Sequence, residues 1–257
     1  MKIRPFFISL CFAAALALAS VADRTARAQE DGPLVVVELY TSQGCSSCPA
    51  ADAFLGELIE MRDDILGLEF HVDYWDNLGW KDRFSSVEST DRQRAYAKSL
   101  GLTYVYTPQM VINGTADAVG SDKMAVIAAV ESAQKSYAVH LDIAVTVNGD
   151  GGIDISLPAA AAGGAGGAPA TVWLVSFDRH FITEVTAGEN NGRKMNNNHV
   201  VRSHEAIGTW TGAALNITVG ADQLTGAEAS DGCAVIVQSG KYGAIIGAAS
   251  LWLDGAS

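Results

Sequence analysis

Two cysteines three positions apart, Cys45 and Cys48, follow directly after the continuous apolar run from Leu34 to Tyr40. Such a run is typical of a strand that is buried on both faces of a sheet. The next residues repeat apolar side chains at helical spacing, which predicts a helix from Ala50 to Leu66. A cysteine pair at the start of a helix can form a small disulfide ring, and the helix dipole favours the thiolate of the first cysteine. The pattern indicates a redox-active dithiol, although half of a zinc site has the same spacing.

Strand-like runs and helical stretches alternate from Leu34 to about Tyr137. Capping boxes at Ser85 and Thr90 precede the second helix, and the dipeptide Asn113-Gly114 is a strong hairpin signal. The predicted elements are strand 34–40, helix 50–66, strand 68–72, helix 92–100, strands 110–112 and 116–119, and a helix that starts at Ser121 or Asp122. This β-α-β-α-β-β-α order is that of the thioredoxin core, and we expect a thioredoxin-like domain over residues 29–137.

Thr107 and Pro108 lie just before the predicted strand from Met110 to Ile112. Because proline removes a backbone donor, a proline at the start of a strand suggests a special conformation such as a cis peptide bond. In the predicted fold, Pro108 would lie against the two cysteines. The backbone of Thr107 would then be free to pair with a substrate strand.

The periodicity changes to two after Tyr137. Short alternating runs are separated by glycine-rich turns, which is typical of an antiparallel sandwich. We read the tract from Ala159 to Ala170 as a flexible loop between two strands. The sequence therefore predicts an all-β, sandwich-like domain over residues 138–257, with strands at 139–147, 153–157, 171–177, 199–203, 215–219, 234–238 and 244–253.

The first 28 residues have the features of a secretory signal peptide. They comprise a basic start, an apolar stretch from Ile8 to Val21 and the small-x-small cleavage site Ala26-Arg27-Ala28. A transmembrane anchor is the alternative, but the apolar stretch is short and a charged segment follows it. We therefore expect a periplasmic or secreted protein with no stable membrane insertion once the signal peptide is removed.

The chain is acidic, with 17 Lys and Arg against 29 Asp and Glu and a net charge of -12. Loss of the signal peptide would remove more basic than acidic residues. An acidic surface argues against nucleic acid and anionic membranes as partners. Three cysteines would remain, namely Cys45, Cys48 and Cys233. Cys233 begins an apolar run, so we expect a buried thiol that packs as a small hydrophobe, the alternative being a third redox thiol.

In a thiol-disulfide exchanger one cysteine attacks and the second resolves the mixed disulfide. Cys45 is nearer the start of the helix and is assigned the attack, while Cys48 lies deeper and resolves. A permanently closed structural disulfide is one alternative. A copper site formed by both thiolates and His71 is another, although most such histidines are simply packed.

Further candidate residues surround this motif. Glu38 interrupts the apolar run, where burial would raise its pKa and make it a proton acceptor for Cys48; a hydrogen-bonded structural glutamate is the alternative. Trp75 and Trp80 could shape a peptide-binding rim or instead seal the interface to the second half. The polar turn Gly188–Arg193 could add a second patch.

Four strings, 38–52, 71–82, 106–114 and 188–193, resemble those of a family of exported bacterial thioredoxin-like proteins with no assigned function. More distantly, the N-terminal half is similar to thioredoxins and periplasmic disulfide exchangers. The resemblance implies a thioredoxin fold with Cys45, Cys48 and Pro108 as the active set. The chain departs from thioredoxin in its Ser46-Ser47 dipeptide, in one extra residue between Glu38 and Cys45, and in lacking the leading β-α unit.

The sequence thus predicts an exported thiol-disulfide oxidoreductase that exchanges disulfides with protein or peptide thiols. Cys45, Cys48, Pro108 and Glu38 would be catalytic, while Thr107, Trp75 and Trp80 would bind substrate; no cofactor or metal is expected. The alternative is a non-catalytic binding module with a structural disulfide, because a pure exchanger rarely needs a second half of this size.

Overall fold

The computed structural model describes residues 25–27, 33–136, 140–161, 169–225 and 230–253. The predicted signal peptide lies outside these residues, apart from a short strand β1 (Thr25–Arg27). Residue 137, at the predicted boundary, and residues 162–168 of the glycine-rich tract also lie outside them. No helix in the described part of the chain is long and apolar enough to cross a membrane.

The first half contains the predicted order of strands and helices. A 3₁₀ turn, Asp76–Leu78, lies between the second of its strands and the second of its helices. The elements are β2 (Val35–Thr41), α1 (Pro49–Met61), β3 (Ile65–His71), α2 (Val87–Ser99), β4 (Gln109–Ile112), β5 (Ala116–Val119) and α3 (Lys123–Lys135).

Two helix boundaries differ from the sequence prediction. Helix α1 ends at Met61 rather than Leu66, because Ile65 and Leu66 already pair in parallel with Val35 and Val36 of β2. Helix α2 begins at Val87 rather than Arg92, and its N-cap is Ser86, one residue after the predicted cap at Ser85. The Ser86 hydroxyl accepts a hydrogen bond from the Ser89 backbone amide, which is how serine stabilises a helix start.

The second half is antiparallel, as predicted, but two of its strands are much longer than the sequence indicated. β8 and β9 have 15 and 17 residues and pair with each other along almost their whole length. The elements are β6 (Ala144–Val147), β7 (Ile153–Leu157), β8 (Ala170–Glu184), β9 (Lys194–Trp210), β10 (Leu215–Val219), the short helix α4 (Ala221–Thr225), β11 (Gly232–Ser239) and β12 (Ile245–Trp252).

The strands form one sheet of eight strands, in the order β12-β11-β8-β9-β3-β2-β4-β5, and one of four, in the order β1-β6-β7-β10. β9 joins β3 in parallel, with Val200 opposite Glu69. The large sheet therefore continues from one half into the other, whereas the sequence predicted a self-contained sandwich after residue 137. Pairing with β9 covers the edge of β3, which would otherwise be exposed. The position of the domain boundary stays a prediction.

Within the described residues, three apolar cores fill the spaces between these layers. Helices α1 and α3 pack on one face of β2 and β4, through residues such as Val37, Phe54 and Val126. The opposite face of β2 and β3 shares a core with β8 and β11, so Tyr40, Phe70 and Trp173 belong to one cluster. The small sheet packs on the remaining face of β8 and β11. The cluster that contains Tyr40, Phe70 and Trp173 is thus built jointly by the two halves of the chain.

Candidate functional site

The cysteine pair lies in the turn that connects β2 to α1. The Cys45 amide donates to the Ser42 carbonyl at 3.1 Å, and the Cys48 amide donates to the Cys45 carbonyl at 3.2 Å. Cys48 is the N-cap of α1 and Pro49 is its first residue, where a missing amide proton has no cost. Cys45 and Cys48 form a disulfide with their Cα atoms 5.4 Å apart. The ring that the spacing predicted is therefore present.

The disulfide is covered in this state. Cys45 and Cys48 are both fully buried, and only Ser46 and Ser47 between them are exposed. The Ser47 hydroxyl lies 3.4 Å from the Cys45 sulfur. An exchanger needs an accessible attacking sulfur, so exchange at Cys45 requires the covering residues to move.

Thr107 and Pro108 line the same groove as Ser47 of the cysteine turn. The peptide bond between them is cis. A groove of about 680 Å³ runs along this edge, with Ser47, Thr107 and Pro108 in its wall and Leu102, Tyr104 and Tyr106 further along. An extended peptide in this groove would pass next to the turn that carries the disulfide.

The two tryptophans orient the cysteine turn, and the groove wall is formed by other residues. The Trp75 indole donates to the Thr107 hydroxyl at 2.9 Å, and a Cβ on Gly44 would meet the Trp75 Cβ at 3.2 Å. The Trp80 indole donates to the Gln43 side-chain oxygen at 3.2 Å. Trp75 therefore links the segment before Cys45 to the cis peptide bond.

The tip of the long hairpin covers the cysteine turn from the second half of the chain. We define the hairpin tip as residues 185–193, between β8 and β9. The Asn190 side chain is fully buried and donates at 2.9 Å to the carbonyls of both Gln43 and Cys45. The Glu189 carboxylate accepts from the Ser46 amide at 3.2 Å. The polar turn that the sequence marked only as a second patch thus contacts the CxxC directly.

A glycine allows this close approach. Gly188 has a φ of +71°, and a Cβ there would lie 3.1 Å from the Trp80 Cβ. Both the left-handed backbone and the short distance exclude most other residues. The tip therefore packs against the 75–80 segment and the cysteine turn together.

Glu38 faces the opposite side of β2, towards α2. Its carboxylate binds Arg92 at 2.6 Å, and the Tyr40 hydroxyl donates to it at 3.3 Å. Arg92 also donates to the Tyr96 hydroxyl at 3.1 Å and lies over four aromatic rings. We call this the Arg92 cluster; its rings are Phe70, Tyr96, Trp173 and Tyr242. Burial opposes the charge of Arg92, but Glu38 keeps the arginine pKa above its usual value.

A second buried group, which the sequence analysis did not identify, lies on the α1 side. Asp52 is one helical turn after Cys48, and its amide donates to the Cys48 carbonyl at 3.1 Å. The Thr41 hydroxyl donates to Asp52 Oδ1 at 2.6 Å. Asp52 Oδ2 has no hydrogen-bond partner among the described residues. Burial, aided by the Glu69 carboxylate, raises the pKa of Asp52 well above its usual range.

His71 connects the remaining members of this group, the Asp52 cluster, which comprises Asp52, Glu69, His71 and Asp82. His71 Nδ1 lies 2.7 Å from Asp82 Oδ2, and its Nε2 lies 3.6 Å from Glu69 Oε2. Burial opposes the imidazolium, but Asp82 and Glu69 raise the pKa of His71 to about 10. Burial raises the pKa of Glu69, while His71 lowers that of Asp82 against the effect of burial.

The geometry gives no support to the copper interpretation or to a third redox thiol. The Nδ1 atom of His71 is engaged by Asp82, and the described residues contain no group of three or more His, Cys, Asp or Glu that could hold a metal ion. Cys233 is buried between the two sheets, as predicted, and burial raises the pKa of its thiol to about 12.

The fold and the site together define a class: a mixed α/β protein with a CxxC disulfide at the start of a helix beside a cis-proline groove. The chain belongs to the family described as "Protein of unknown function (DUF1223)", whose model matches residues 36–238. No curated protein matches the chain.

Two solved structures are similar. Protein AGR_C_4864 from Agrobacterium tumefaciens shares 31% identity, with a TM-score of 0.75 over 88% of this chain and 97% of that one. HBP35 of Porphyromonas gingivalis shares 14% identity, with a TM-score of 0.51 over 88% of this chain and 76% of that one. The second likeness concerns the fold alone.

Proposed function

We propose that this protein is an exported, thioredoxin-like thiol-disulfide oxidoreductase that acts on protein or peptide thiols. The observation that carries the proposal is the Cys45–Cys48 disulfide at the start of α1, beside the cis Thr107–Pro108 bond and its groove. The strand order β3-β2-β4-β5, with α1 and α3 on one face and α2 on the other, supports a thioredoxin-like first half.

The proposed exchange reaction uses the sulfur atoms of Cys45 and Cys48 in turn. In the reduced protein the Cys45 thiolate attacks one sulfur of a substrate disulfide, and the other substrate sulfur leaves as a thiolate. Cys48 then loses its proton and attacks the Cys45 sulfur of the mixed disulfide. The Cys45–Cys48 bond forms, the substrate leaves as a dithiol, and two electrons have passed from the protein to the substrate. The reverse sequence oxidises a substrate dithiol.

We propose Asp52, rather than Glu38, as the proton acceptor for Cys48. Glu38 is neutralised by Arg92 in a core on the opposite face of β2. Asp52 lies one turn from Cys48 on the same helix, and its Oδ2 is unpartnered among the described residues. A carboxylate with a raised pKa is a better match to a thiol and therefore a more effective base.

The test compares disulfide exchange with a model peptide for the wild type and for Cys45→Ser and Cys48→Ser. We expect Cys45→Ser to lose exchange, because the attacking sulfur is gone. Cys48→Ser should accumulate a mixed disulfide with the peptide, because nothing resolves it. Cys233→Ala is the matched control and should keep the wild-type rate. Equal rates for wild type and Cys45→Ser would refute the proposal.

A second candidate function is a binding module with a structural disulfide. Full burial of both cysteines under the buried Asn190 side chain favours it. A structural disulfide of an exported protein has a reduction potential below about -300 mV, whereas exchangers lie above that value. Measuring the potential of the Cys45–Cys48 pair therefore separates the two functions.

A further inference from the structure

We infer that the hairpin tip sets the redox direction of the CxxC, and that Glu189 is the positioning residue through which it acts. In this inference, the Glu189 carboxylate disfavours the Cys45 thiolate and makes the reduced pair a stronger electron donor. The inference rests on the proposed function, because it assigns the direction of electron transfer to the same site.

The first step concerns the amide that follows the attacking cysteine. Backbone amides at the start of a helix normally stabilise a thiolate, together with the helix dipole. Here the Ser46 amide donates to the Glu189 carboxylate at 3.2 Å instead. A negative charge within one hydrogen bond of the residue next to Cys45 opposes a second negative charge on the sulfur.

The second step concerns how firmly the tip is held. Asn190 is fully buried, and both of its side-chain hydrogen bonds go to carbonyls of the cysteine turn, at Gln43 and Cys45. Gly188 packs against Trp80 from the other side. Glu189 therefore has a fixed place over the turn, unlike a carboxylate on a freely moving loop.

The third step concerns the other charges around the turn. Asp52 lies on α1, one turn after Cys48, and the Asp82 carboxylate accepts from the Gln43 amide at 2.8 Å. The only buried cation of the Asp52 cluster, His71, is bound to Asp82 and Glu69. Carboxylates thus approach the cysteine turn from the tip, from α1 and from the segment after β3.

The consequence for redox equilibrium follows directly. Strong oxidants of this chemistry owe their strength to a stabilised reduced form. A destabilised thiolate has the opposite effect, because it favours the Cys45–Cys48 disulfide over the dithiol. With dithiothreitol, the disulfide and reduced dithiothreitol exchange two electrons and two protons to give the protein dithiol and cyclic oxidised dithiothreitol. Removing the Glu189 charge should shift this equilibrium towards the protein dithiol.

The experiment measures this equilibrium for the full mature chain and three variants. For Glu189→Gln we expect the equilibrium constant for reduction to rise about tenfold, which is about 30 mV for a two-electron couple. The Cys45 alkylation profile should move to lower pH. Glu189→Asp keeps the charge and should stay near the wild type. Glu184→Gln removes an exposed carboxylate of the same hairpin, paired with Lys194, and should leave the constant unchanged.

The outcomes are separable from those of the proposed function. A Glu189→Gln constant within twofold of the wild type overturns the inference, and so does an equal shift in Glu184→Gln. A shift specific to Glu189→Gln supports it even if the protein shows no exchange with peptides, in which case only the proposed function fails. Thermal unfolding of each variant shows whether it is folded, and Glu189 is exposed, so its substitution leaves the core intact.

Discussion

The two buried charged clusters lie on opposite faces of the same pair of strands and differ in how their charges are balanced. In the Arg92 cluster one carboxylate meets one guanidinium inside a cage of aromatic rings. In the Asp52 cluster three carboxyl groups share one histidine. In the Asp52 cluster, burial raises the pKa of both Asp52 and Glu69, so these carboxyl groups hold a proton more readily than exposed ones do. This difference fits the roles that we propose, in which the Arg92 cluster is structural and the Asp52 cluster accepts the proton of Cys48.

The largest expected effect comes from breaking the balanced cluster. Arg92→Ala leaves Glu38 buried without its partner, so the free energy of unfolding should fall by about 3–5 kcal/mol. Urea unfolding measures this loss. Arg94→Ala is the matched control, because Arg94 pairs with Asp91 at the surface and should cost under about 1 kcal/mol. Similar losses for both variants would show that the Arg92 cluster is not structural.

The next effect concerns the pH dependence of stability, to which His71 of the Asp52 cluster should contribute a defined slope. The folded-state pKa of His71 is about 10, above the unfolded value of about 6.5, so its stabilisation is complete below pH 6.5 and is lost as the pH rises through 10. Between pH 7 and 9 the free energy of unfolding should fall by up to about 1.4 kcal/mol per pH unit. His71→Gln should flatten this slope. An unchanged slope in that variant would contradict the assignment.

A smaller effect compares the two carboxylates as proton acceptors. Asp52→Asn should slow disulfide exchange at least about tenfold, because the base near Cys48 is removed. Glu38→Gln should lower stability and leave the exchange rate per folded molecule close to that of the wild type. Stopped-flow exchange, normalised to the folded fraction, measures both. A slower rate in Glu38→Gln and a normal rate in Asp52→Asn would reverse the roles given to the clusters.

The smallest effect lies at the edge of the groove. Trp75→Phe removes the hydrogen bond to Thr107 but keeps the aromatic packing, so stability should fall by about 1 kcal/mol. Trp80→Phe is the comparison, since it removes the bond to Gln43. If Trp75 positions the cis-proline edge, only Trp75→Phe should raise the KM for a peptide substrate. Equal KM changes in both variants would assign them the same supporting role.

Local signals allowed much of the first half to be predicted. The cysteine spacing, the proline before β4 and the Asn113-Gly114 turn each act within a few residues, and each is present in the structure. Partners far apart in the chain could not be predicted. Nothing around Glu38 indicates Arg92, and nothing around Cys45 indicates Asn190.

The absence of long-range information in the sequence pattern also explains why the predicted and observed arrangements of strands differ. Alternation showed that residues near 200 form a strand, but it carries no information about which strand edge they join. β9 joins β3 through a pairing between Glu69 and Val200. Asp52 did carry a local signal, because an acidic residue on the otherwise apolar inner face of a helix is unusual. That signal does not show which residues Asp52 contacts.

The order of synthesis determines when the hairpin tip can cover the disulfide. Chains are made from the N-terminus, so Cys45 and Cys48 emerge long before residues 188–193 of the hairpin tip. Until β9 is made, the edge of β3 stays open and the cysteine turn has no cap. A thiol oxidant in the compartment where the chain folds can therefore accept two electrons from this pair and form the disulfide while the cysteines are still accessible. Docking of the hairpin then encloses the pair, so the completion of β8 and β9 decides when the two cysteines are withdrawn from solvent.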